Sequence, residues 1–231
     1  STLPGTAAEI LDDEVRKSLC PDKINTSQWL EVMKTAHQVG FKTTATIMYG
    51  HVETPIHWAN HLTEVRNLQL QTGGFTEFVP LPYVPMEAPM YLKGKSRRGP
   101  SFREAILMHS VSRIAFKGLI NNIQTSWVKM GQEGVQACLN AGANDIGGTL
   151  MNESITRAAG ADHGQEWHPQ GIEETIISMG RIPKMRTTSY DEAPQSRREL
   201  AFRASTLKQV ENTAAAKLQR SKKLDNIAQV L

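Results

Sequence analysis

Cysteine is almost absent. Cys20 and Cys138 are the only two in 231 residues, 118 positions apart, which excludes a disulfide framework and any paired-cysteine redox or zinc motif. Both thiols are expected to be reduced and buried, as in a cytoplasmic protein. Long apolar runs are missing too: none approaches the ~20 residues of a membrane span, and no signal-peptide pattern opens the chain. Neither a membrane nor nucleic acid is expected as a partner. The net charge of +3 is small and uneven, because from Gln195 onward eight Lys or Arg face three Asp or Glu. The basic surplus belongs to the tail and says little about the folded body. What remains is an ordinary globular composition, 39% hydrophobic and 21% charged, able to fill a sizeable core.

Helices and strands alternate along the chain. Thr6 and Glu9 have capping-box spacing, with Ile10, Leu11, Val15 and Leu19 at helical intervals up to Pro21. A second helix is expected from Thr26 or Ser27 to Gly40, burying Trp29, Met33 and Ala36. β-Branched content marks 42–49 as a strand. Thr54 and Pro55 open a helix with the stripe Trp58, Leu62, Val65 and Leu68. A strand over 75–81 leads into a long proline-rich loop, the length of a lid or binding segment. Ser101 and Glu104 make another capping box for a helix ending at Gly118. A strand over 119–127, a helix over 130–141 and a short strand over 143–146 follow. Gly147 and Gly148 then precede a helix from about Thr149 to Ala159. Pro169 begins a helix that Gly180 ends, 181–190 reads as extended, and Leu207, Val210, Ala214, Leu224 and Leu231 pattern a helical tail.

This rhythm predicts an α/β fold with a parallel sheet, specifically the second half of a (β/α) barrel plus a C-terminal helical tail. The expected division is 1–190 for the half barrel and 191–231 for the basic tail. A half barrel alone would expose a long sheet edge and an open face, so the other half is expected upstream or on another polypeptide.

Barrel chemistry sits where strands end at their carboxyl side. Those ends hold His51 and Glu53, then Glu77, then Asn122, Gln124 and Ser126, then Asn144 and Asp145. Asn122, Gln124 and Ser126 share one strand face by alternation. A polar row pointing into a barrel is costly unless a ligand or water uses it, which suits a hydrogen-bonding substrate such as a pyrimidine or sugar alcohol. His51 beside Gly50, with Glu53, is a candidate for proton transfer. Glu9 and Arg16 could together hold a zwitterionic ligand. His57 and His61 stand one turn apart but are read as solvent-facing residues of an outer helix, so no metal site is assigned.

Five segments, in order, resemble a known family: 4–16 (Pro-Gly-Thr-Ala-Ala-Glu-Ile-Leu-Asp-Asp-Glu-Val-Arg), 44–53 (Thr-Ala-Thr-Ile-Met-Tyr-Gly-His-Val-Glu), 75–81, 122–129 (Asn-Ile-Gln-Thr-Ser-Trp-Val-Lys) and 142–161. They resemble the radical S-adenosylmethionine enzymes of deazaflavin synthesis and their menaquinone-pathway relatives, above all the tyrosine-using component of FO synthase. The resemblance covers roughly residues 3–190. It implies a radical-SAM-type barrel with a [4Fe–4S] cluster, where S-adenosylmethionine yields a 5′-deoxyadenosyl radical that acts on L-tyrosine. The 4-hydroxybenzyl fragment is then joined to 5-amino-6-ribitylaminouracil, and a partner domain or subunit closes the ring. The polar lining would take the uracil and ribityl groups, while Glu9 and Arg16 would meet the amino-acid part of S-adenosylmethionine. The implied setting is the cytoplasm, or a plastid in a photosynthetic eukaryote.

One departure stands out. The family's Cys-x-x-x-Cys-x-x-Cys loop has no counterpart here, and no other residues replace three thiolates. Two readings follow: the substrate-binding half of such an enzyme, its cluster held by a missing N-terminal half, or a non-catalytic scaffold derived from one.

Overall fold

The computed structural model describes residues 2–150 and 152–208. Its centre is a parallel sheet in the order β1 (Thr2–Leu3), β2 (Lys42–Tyr49), β3 (Phe75–Pro82) and β4 (Asn122–Ile123). A single parallel bridge from Gln124 to Asp145 adds one more position beyond β4. The expected α/β class with parallel strands is therefore present. Among the described residues the sheet is open, as in a partial barrel.

Helices cover one face of the sheet. Between β1 and β2 run α1 (Asp13–Leu19) and α2 (Thr26–Gln38), and between β2 and β3 runs α3 (Pro55–Thr72). After β3 come α4 (Pro89–Leu92) and α5 (Phe102–Ala115), and after β4 comes α6 (Trp127–Asn140). The chain continues through α7 (Ile155–Ala158), α8 (Pro169–Ser178) and α9 (Gln195–Arg203). Alternation along β2 turns Ala45, Ile47 and Tyr49 toward the helices, where they pack with Trp29, Trp58, Leu62, Val65, Phe78 and Ile123. A smaller core joins Trp127, Val135, Cys138 and Leu139 of α6 to Ala143 and Ile146. Burial on this scale is the main favourable term holding the layers together.

The middle of the chain folds as its periodicity predicts. The stripe Trp58, Leu62, Val65 and Leu68 is buried, and Ser101 with Glu104 forms both bonds of a capping box. Five expectations need correction. Thr6 and Glu9 do not cap a helix: Met48 N–H bonds the Glu9 carbonyl and Glu9 has φ 42°, so this segment runs beside β2 and α1 starts only after its cap Asp12. The strand expected over 119–127 shrinks to Asn122–Ile123, because Trp127 already begins α6 and Gly131 then kinks it at φ 65°. The strand expected over 143–146 makes one bridge, and the helix expected from Thr149 reduces to Ile155–Ala158. Finally, His61 is fully buried rather than solvent-facing.

The first part of the tail docks on the body. Arg198 pairs with Glu173 of α8, its Nη2 lying 2.8 and 2.7 Å from the two carboxylate oxygens, and Gln165 Nε2 reaches the Lys208 carbonyl at 2.7 Å. Leu207 lies beyond α9, and Val210, Ala214, Leu224 and Leu231 fall outside the described residues.

Candidate active site

The sheet face turned away from the helices is polar. A bulge between Thr43 and Thr44 sets the register, after which Thr44 pairs with Glu77 and Glu77 with Asn122. Paired residues share a face, so Thr44, Glu77 and Asn122 form one row and Gln124 and Asp145 extend the next. The structure thus brings Glu77, Asn122, Gln124 and Asp145 together. Asn122 Nδ2 is bound to the Thr76 carbonyl at 2.8 Å, and Gln124 Nε2 donates to Glu77 Oε2 at 3.0 Å. Asn144 points the other way, accepting from Arg113 at 2.7 Å and from the Ile123 N–H at 2.9 Å. Ser126 stands at the start of α6 with no capping bond from its side chain.

Two further residues join this face from the segment before α9. Arg186 Nη2 lies 3.0 Å from Asp145 Oδ1, its Nε also contacts Asp145 Oδ2, and Nη2 is 3.5 Å from Glu77. The Tyr190 hydroxyl donates to Glu77 Oε2, and the Arg186 guanidinium lies 4.1 Å over the Tyr190 ring. Burial pushes the Glu77 carboxyl up and neighbouring Asp145 adds to this, against Tyr190, Arg186 and Gln124, which oppose it; the net direction is upward. Sequence reasoning treated this segment only as extended chain and missed both residues, which sit too far from their partners for any local pattern to mark them.

His51 and Glu53 form a separate, tightly packed corner at the end of β2. Glu53 Oε1 accepts from the Gly50 N–H at 2.5 Å and the Trp58 indole at 2.9 Å, while Oε2 accepts from the His51 N–H at 2.8 Å. Its side chain is fully buried, 2.9 Å from His51 Nδ1 and 3.4 Å from Arg97. Burial pushes this carboxyl up, but His51 and the Gly50 and Trp58 donors outweigh it and hold Glu53 well below the usual carboxylate range. Gly50, at φ 96°, allows the approach of the proline-rich loop, because a Cβ there would meet Pro100 at 2.2 Å.

Arg16 is equally enclosed, donating to the carbonyls of Ala7, Ala8, Ile10 and Ile24. Glu9 pairs with Lys23 at 2.5 Å on the surface. His61 Nδ1 accepts from the Leu11 N–H at 2.9 Å, and burial, aided by nearby Arg16, lowers the ring to about 3. A cavity of about 280 Å³ lies under the proline-rich loop, lined by residues that include Tyr83, Met86, Arg98, Phe102 and Lys129. Burial lowers the Lys129 ammonium.

Comparison with known proteins decides the family. Residues 72–200 match the CofH/MqnC C-terminal region. The chain belongs to this family. It is 53% identical over 190 residues to the 5-amino-6-(D-ribitylamino)uracil--L-tyrosine 4-hydroxyphenyl transferase of Methanocaldococcus jannaschii, covering 82% of this chain and 53% of that one. The transferase of the same name from Methanothermobacter thermautotrophicus is 49% identical over 191 residues, covering 83% of this chain and 52% of its own. The FO synthase of Mycobacterium leprae is 51% identical over 189 residues, covering 82% of this chain and 22% of its own. The chain therefore spans about half the length of the transferases it matches.

The residues of this chain do not fit an iron–sulfur cluster. Its two cysteines are buried in the hydrophobic interior, burial pushes the Cys138 thiol up to about 11, and three thiolates cannot be assembled from two. Among the described residues no cluster of His, Cys, Asp or Glu could hold a metal ion, and no helix is long and apolar enough to cross a membrane.

Proposed function

We propose that this chain is the substrate-binding half of an FO-synthase-type radical S-adenosylmethionine transferase. The complete enzyme joins the 4-hydroxybenzyl group of L-tyrosine to 5-amino-6-ribitylaminouracil, and its [4Fe–4S] cluster is carried by a barrel half outside this chain. The observation that carries the reading is the polar face of the parallel sheet, where Glu77, Asn122, Gln124 and Asp145 converge on the side away from the helices. The register of β3 and β4 sets these side chains on one face, and the relatives' names supply a substrate with matching groups.

In this reading Asn122 and Gln124 bind and orient the uracil and ribityl groups, with Ser126 at the rim. Asn144 acts indirectly, fixing Arg113 and the backbone of β4 so that Asp145 faces inward. Arg16 holds the 7–10 segment in shape, and Glu9 on that segment is the group offered to the amino-acid part of S-adenosylmethionine. His51 and Glu53 keep the β2 end and the proline-rich loop in register, the Arg97 N–H binding the His51 carbonyl at 2.9 Å. The chain itself supplies binding and orientation, and no reaction step is assigned to its cysteines.

Gln124→Leu tests the lining. In the chain joined to the N-terminal part of the Methanocaldococcus relative, losing this hydrogen-bonding group should weaken aminouracil binding by about 1–3 kcal/mol with little change in melting temperature. Unchanged affinity and turnover would show that the lining is structural.

A further inference from the structure

Glu77 is 9% exposed, yet all its bonds converge on one oxygen. Gln124, Tyr190 and Arg186 each address Oε2, and no hydrogen bond among the described residues uses Oε1. Gln124 repeats the pattern: its Nε2 is engaged, while none of those bonds uses its Oε1. Gly147 keeps that oxygen accessible, since a Cβ there would stand 2.7 Å from it. Two acceptors therefore share one face with no donor among the described residues, open to the N–H groups of a ligand. The local charge points the same way, with Glu77 and Asp145 against a single Arg186.

We propose that this corner receives an amino group of a substrate on the free oxygens of Glu77 and Gln124, and that Arg186 and Tyr190 are the positioning residues that aim them. The inference deepens the functional reading above and rests on it. Arg186 neutralises Asp145 with a two-pronged contact, which leaves Glu77 as the acidic partner for the ligand. Tyr190 pins Oε2 so that Oε1 faces the ligand. Tyr190 itself sits at φ 68°, a left-handed conformation unfavourable for a bulky residue, which a folded chain keeps only where its surroundings impose it. Both proposed substrates carry an amino group, the α-ammonium of tyrosine and the 5-amino group of the aminouracil, so the chemistry is shared and the source is separable by experiment.

The test uses the chain joined to the N-terminal part of the Methanocaldococcus relative, cluster-loaded, with KM measured separately for tyrosine and for 5-amino-6-ribitylaminouracil. Tyr190→Phe should raise one of the two KM values roughly tenfold, the loss of one well-aimed charged contact. The other KM should stay put and kcat should stay within a few-fold. Glu77→Gln and Arg186→Lys should move the same KM, and that KM names the substrate bound here. If the parent turns over and all three variants keep both KM values, the positioning role is wrong. It is equally wrong if both KM values and the melting temperature shift together, since that is general loosening. A folded, cluster-loaded parent that consumes neither substrate would instead remove the functional reading, and this inference with it.

Discussion

Replacing Glu53 with alanine removes a buried carboxylate to which the Gly50 and His51 backbone N–H groups and the Trp58 indole all donate. With the side chain fully buried, water cannot take its place at those donors without opening the β2 end. Breaking a buried, hydrogen-bonded charge from one side costs about 3–5 kcal/mol. For a chain of this size that corresponds to roughly 6–20 °C in melting temperature. The pH dependence has a definite sign. Because the Glu53 carboxyl is held below its usual range in the fold, its contribution is full above that range and is lost as pH falls through the folded value. Thermal unfolding of parent and Glu53→Ala should therefore show the full gap near neutral pH and a narrowing gap in acid. A variant that melts with the parent yet no longer supports turnover would refute this reasoning and make Glu53 a reacting group.

Glu77 has the opposite sign: its carboxyl is raised in the fold, so its ionisation weakens the native state as pH rises above the ordinary carboxylate range. Glu77→Gln should flatten that decline in a pH series of unfolding midpoints, and an unchanged slope would contradict the assignment. Arg16→Ala leaves the carbonyls of Ala7, Ala8, Ile10 and Ile24 without their donor and should cost about 2–4 kcal/mol. Denaturant titration checks this, and a fully stable variant that binds S-adenosylmethionine poorly would instead make Arg16 a direct ligand contact.

The layered α/β plan was legible where periodicity and capping agreed. β2 and α3 lie where β-branched content, Pro55 and the Trp58–Leu68 stripe put them, and α5 begins at the capping box of Ser101. Legibility failed where long-range bonds override local pattern. Thr6 and Glu9 have perfect capping spacing, yet the Met48 N–H and the buried Arg16 claim the carbonyls of that segment and keep it out of a helix. The 119–127 stretch has strand composition, but Leu119 is tied to Gln69 of α3 at 2.9 Å and Trp127 is drawn into the α6 core. Asn122 and Gln124 could be placed because alternation sets their face, whereas Ser126, expected on the same face, stands at the start of α6, where strand alternation no longer applies. Asn144 and Asp145, adjacent in sequence, were grouped together, whereas the same alternation sends them to opposite sides. Tyr190 meets Glu77 from 113 positions away, a pairing that only the folded chain brings about.

Tyrosine-dependent consumption of 5-amino-6-ribitylaminouracil is the measurement that bears most directly on the whole reading. The chain is supplied with the N-terminal part of the Methanocaldococcus relative, in trans or by fusion, reconstituted anaerobically with iron and sulfide, and given S-adenosylmethionine. The account predicts that the aminouracil disappears only when tyrosine and both halves are present, and that this chain alone binds no cluster and cleaves no S-adenosylmethionine. A folded, cluster-loaded assembly that leaves the aminouracil untouched would contradict the account and leave a binding scaffold in its place.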